Sequence, residues 1–65
     1  MMNDGPTIAE LEERIAAIRR NIGDLIEQAA AYSGAADEAR TADRIAQEEQ
    51  ELAKLIALRD ARLAR

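Results

Sequence analysis

The chain has no cysteine, no histidine, no tryptophan and no phenylalanine, and it holds one tyrosine, one proline and three glycines in 65 residues. The missing cysteine rules out a disulfide staple. With histidine missing as well, only carboxylates are left as metal ligands, which argues against zinc and leads us to expect no cofactor. A single aromatic residue cannot build a platform for stacking nucleic-acid bases. Valine is absent and other strand-favouring residues are scarce, which argues against a sheet. No apolar run reaches the roughly 18 residues that would span a bilayer. No basic stretch leads into an apolar one as in a secretion signal, so a soluble, cytoplasmic protein is expected. A chain this short has a thin core, and small scaffolds without disulfides or metals rely on oligomerisation or on a partner.

What remains is a set of helix formers, chiefly alanine, glutamate, arginine, isoleucine and leucine. Asn3, Asp4, Gly5 and Pro6 mark residues 1 to 6 as a flexible tail. Thr7 and Glu10 have the spacing of a capping box, so a first helix is predicted over about residues 7 to 33. Along it Ile8, Leu11, Ile15, Ile18, Ile22, Leu25, Ala29 and Tyr32 alternate spacings of three and four, the signature of a coiled-coil seam. Gly23 lies outside that stripe and costs up to about 1 kcal/mol relative to alanine in a helix.

Ser33 and Gly34 predict a turn over about residues 33 to 36, because glycine favours the position just past a helix end. Asp37 and Glu38 suit the positive end of a second helix, predicted over about residues 36 to 64. Its stripe reads Ala42, Ile45, Glu49, Leu52, Ile56, Arg59 and Leu63. Continuing the first heptad would instead put the equivalent positions at Asp43, Gln50 and Ala57. This slip of one residue favours two helices over one long one.

Charge points the same way. Residues 1 to 33 carry six acids and three bases, residues 37 to 53 six and two, and residues 54 to 65 one and four. In a hairpin turning at Gly34, residues whose numbers add to about 69 lie side by side. Arg59 is then expected near Glu10, and Arg19 and Arg20 near Glu49 and Glu51. Glu49, on the stripe, is expected either as a buried register device or at the seam's edge. Small residues (Ala29 to Ala31, then Ala35, Ala36, Ala39 and Ala42) gather beside the turn. The expected fold is all-α, an antiparallel two-helix hairpin that dimerises into a four-helix bundle. In its two-helix plan and alanine-bearing core the chain resembles the repressor-of-primer hairpins, and that resemblance implies the dimeric bundle as an architecture.

Catalytic signals are missing. Ser33 has no histidine to activate it, Tyr32 falls on the stripe, Lys54 reads as an exposed helix residue, and no glycine-rich phosphate loop is present. The sequence is therefore read as non-enzymatic, with no small-molecule substrate. A net charge of −4 opposes direct nucleic-acid binding. Ile26, Leu55 and Leu58 fall off the stripes and are expected to form a second apolar face that binds another copy or another protein. The alternative is a small acidic inhibitor of the kind phages use. In it, Glu38, Asp43, Glu48 and Glu51 would imitate phosphates in the basic groove of a nucleic-acid-processing protein.

Overall fold

The computed structural model describes residues 5 to 31 and 35 to 64, the side chains of 35 to 37 excepted. It contains two helices, α1 (Ile8–Ala31) and α2 (Ala35–Leu63), packed against each other as a hairpin. At 24 and 29 residues they are about 36 and 44 Å long. The radius of gyration is 15.0 Å, against about 11 Å for a globular domain of this length. Tyr32, Ser33 and Gly34, on which the turn was predicted, lie outside the described residues.

The start of α1 is built as its sequence requires. Thr7 N donates to Glu10 Oε1 at 2.8 Å, and Glu10 N donates to Thr7 Oγ1 at 3.1 Å. The reciprocal pair satisfies two amides that the helix itself leaves without acceptors. Leu11 N donates to Thr7 O at 2.9 Å and closes the first turn. Gly5 precedes it with a φ of 105°, a conformation that glycine adopts without strain.

The core is short. Leu11 and Ile15 from α1 and Leu55 from α2 are buried, and Ile18, Leu52 and Ile56 pack against them. Along α1 the buried and half-buried positions include Ile8, Leu11, Ile15, Ile18, Ile22, Leu25 and Ala29, the predicted stripe. At one end of the hairpin, a Cβ placed on Gly5 would lie 3.4 Å from Arg62 Nη2. Toward the turn, Leu25 and Gln28 share a groove with Thr41 and Arg44. These neighbours follow the expected antiparallel register, with numbers adding to about 69.

On α2 the seam differs from its predicted stripe. Thr41, Ile45, Glu48, Leu52, Leu55, Arg59 and Arg62 are the regularly spaced residues that lose exposure. Ile45, Leu52 and Arg59 are common to both readings, but Ala42, Glu49 and Leu63 are exposed and Leu55 is buried. Hydropathy alone favoured Ile56 and Leu63 for the second row. The packing uses Leu55 together with the half-buried Glu48 and Arg62, long side chains whose aliphatic stems suit a seam position. The seam thus departs from a continued α1 heptad by two residues, about 200° around the helix axis. A single long helix would present its two stripes on nearly opposite sides.

Two further expectations need correction. Glu49 is exposed, so it is not a buried register device; Glu48 holds the seam position. Arg59 pairs with Asp60 on its own helix at 3.1 Å, and Glu10 is occupied by the capping box. Among the described residues, no ion pair joins Arg19 or Arg20 to Glu49 or Glu51. Exposed pairs of long side chains gain too little, about 0–1 kcal/mol, to enforce a distant partner over an adjacent one.

Chemical denaturation should separate these roles. Leu11→Ala is expected to destabilise the fold by about 2–5 kcal/mol, because Leu11 is fully buried. Thr7→Ala should cost about 1 kcal/mol through loss of the cap. Glu49→Ala should change stability by less than about 0.5 kcal/mol, as expected of an exposed side chain.

Candidate interaction surfaces

A seam between two antiparallel helices has two flanks, and their composition decides what the hairpin can meet. Asn21 and Gln28 of α1 line one shallow groove together with Arg44 of α2. Each immediately precedes a seam residue, so positions preceding the seam on both helices lie on one side. Arg14 and Glu51 belong to the same side by helical periodicity. This flank is polar, with Leu58 its one large aliphatic, 41% exposed.

The groove widens near the turn to a volume of about 530 Å³. Leu25 contributes to its lining, together with Gln28, Thr41, Gln47, Arg40 and Arg44. Asp43 lines it too, so the two guanidinium groups share the groove with a carboxylate. It is open and of mixed charge, and no single ligand chemistry matches it.

The opposite flank holds the residues that immediately follow the seam. They are Glu12, Arg19 and Ile26 on α1, and Ala42, Glu49, Ile56 and Leu63 on α2. Ile26 is 54% and Leu63 58% exposed, while Ile56 packs partly into the core. One step further out, α1 presents Ala9, Ala16, Gly23 and Ala30 at intervals of seven, and α2 presents Ala39, Ala46 and Ala53. All seven are exposed. A Cβ on Gly23 would meet nothing within 4 Å. Small side chains leave this flank flat, so another backbone can approach it closely. The seven-residue repeat was present in the sequence, and on α2 its next member is the charged, exposed Asp60.

The three residues expected to share one apolar partner face are therefore divided. Leu55 belongs to the core between the helices, because its position completes the α2 seam. Ile26 and Leu58 are exposed on opposite flanks. Nor do Glu38, Asp43, Glu48 and Glu51 form a uniform acidic ridge. Glu48 is half-buried at the seam beside Arg44, and Asp43 shares its groove with Arg40 and Arg44.

Among the described residues, no group of three or more Asp, Glu, His or Cys side chains is arranged to hold a metal ion. No described helix is long and apolar enough to cross a membrane. Comparison of the chain with protein-family models, with curated proteins and with solved structures finds no match.

Proposed function

We propose that this chain is a non-enzymatic protein–protein interaction module whose working unit is two hairpins paired as a four-helix bundle. The observation that carries this reading is the amount of surface left uncovered. The hairpin exposes 4996 Å². A folded monomer of 7.1 kDa ordinarily exposes about 4,100 Å². The excess, about 900 Å², is close to the roughly 800 Å² per partner that a standard protein interface covers. A core of three buried side chains among the described residues supports the same reading. Together these contribute on the order of 5–9 kcal/mol, little for ordering two long helices. Pairing buries a second seam, with helix crossings near 20° in bundles of this kind.

The acidic-inhibitor reading is weaker on the observed charge pattern. Arginines interrupt its acidic residues, and a phosphate mimic needs a continuous negative surface to hold a basic groove. The two readings differ in salt dependence. Apolar pairing changes little with ionic strength, whereas capture by charge weakens steeply as the Debye length falls from about 10 Å at 0.1 M to about 3 Å at 1 M.

Light scattering coupled to size exclusion, run at low and high salt, tests the proposal. The expected mass is twice 7.1 kDa at both. A helical monomer at micromolar concentration would overturn the paired-hairpin unit.

A further inference from the structure

We infer that the second copy docks on the flank of small residues, with the turns of the two hairpins at opposite ends of the assembly. This rests on the paired-hairpin reading and adds its face and its direction.

The face follows from the contrast between the flanks. One carries Arg14, Asn21, Gln28, Arg44 and Glu51, which would lose water on pairing without a defined partner. The other carries Glu12, Arg19 and Glu49 as well, but it offers Ile26, Ile56 and Leu63 among alanines and one glycine, and its exposed aliphatics gain by leaving water.

The direction follows from charge. From residue 35 to 49, α2 carries five acids and two bases; from residue 50 to 65 the chain carries two acids and four bases. A two-fold axis across the middle of the hairpin lays α2 antiparallel to the partner's α2. The acidic half of each then meets the basic half of the other. With both turns at the same end, α2 would instead lie on the partner's α1. The basic half of α2 would still find acids there, near Glu10, Glu12 and Glu13. Its acidic half, however, would meet residues 20 to 31, which carry two acids and one base. That arrangement sets like charge against like near the turns, where the chain's net negative charge is concentrated.

Side-chain size agrees with the same axis. The two-fold passes at the level of residues 19 and 20 on α1 and 49 and 50 on α2. It places Gly23 opposite the partner's Ala16, and Ala46 opposite the partner's Ala53. Ile26 arrives at the axial level of the partner's Ile56, so the larger side chains fill the layers on either side of a close central approach.

A spin label at Ala64→Cys, an exposed position, reads the direction in the full chain. Opposed turns predict a label separation of about 45 Å along the bundle, from 1.5 Å of rise per residue. A dimer with labels closer than about 25 Å would overturn the direction and leave the paired-hairpin reading standing. The face is read by mass. Ala46→Glu should give a monomer at concentrations where the parent is a dimer, while Asn21→Glu on the opposite flank stays dimeric. The reverse pattern would overturn the face. A monomeric parent would overturn the paired-hairpin reading as well. The label measurement leaves the proposed face unsubstituted, so it holds even if Ala46→Glu unfolds.

Discussion

Two helices laid side by side share one seam, and among the described residues that seam is closed firmly at only one place. Leu11, Ile15 and Leu55 fill it near the open end, with Ile18, Leu52 and Ile56 around them. Toward the turn the α2 seam passes through Thr41 and Glu48, and the groove beside Leu25 stays open. Hydrophobic burial scales with area, so a seam of this kind orders the two helices but leaves little stability in reserve. Most other features of the molecule can be traced to that limit. The helices are long because one seam must be extended to gain area. The surface is large because a pair of rods cannot enclose it. One flank combines small residues with Ile26, Ile56 and Leu63, in keeping with the second seam proposed there.

How much of this was legible in the sequence differs between the helices for a physical reason. In α1 every large aliphatic but Ile26 falls on the seam, at Ile8, Leu11, Ile15, Ile18, Ile22 and Leu25, so period and packing coincide. Its capping box could be read from Thr7 and Glu10 alone, because both hydrogen bonds are local in the chain. In α2, Leu55 and Ile56 are adjacent and both apolar, so two neighbouring stripes fit the hydropathy. Only the facing helix chooses between them. The choice of Leu55 carries Glu48 and Arg62 into the seam and releases Glu49 and Leu63 to the outside.

The misplaced row also hid the candidate surface. While Leu55 is counted among the spare aliphatics, Ile26 and Leu58 look like parts of one face. With Leu55 returned to the core, the two lie on opposite flanks, and the seven-residue repeat of alanines and Gly23 becomes the coherent feature. Ion pairing was the least legible aspect. Opposite charges do lie at matching levels of the two helices, yet Arg59 turns to Asp60, its neighbour in the chain. Exposed charges bias a register as a population and rarely through particular partners.

In the paired unit proposed above, folding and pairing are linked, because a hairpin with one short seam would gain stability from a second. Linkage of that kind makes thermal stability depend on protein concentration. The most direct test is the melting temperature of the helical signal over a hundredfold range of chain concentration. The account predicts a melting temperature that rises steadily with concentration. A melting temperature that stays constant across the range, with a single cooperative transition, would contradict it.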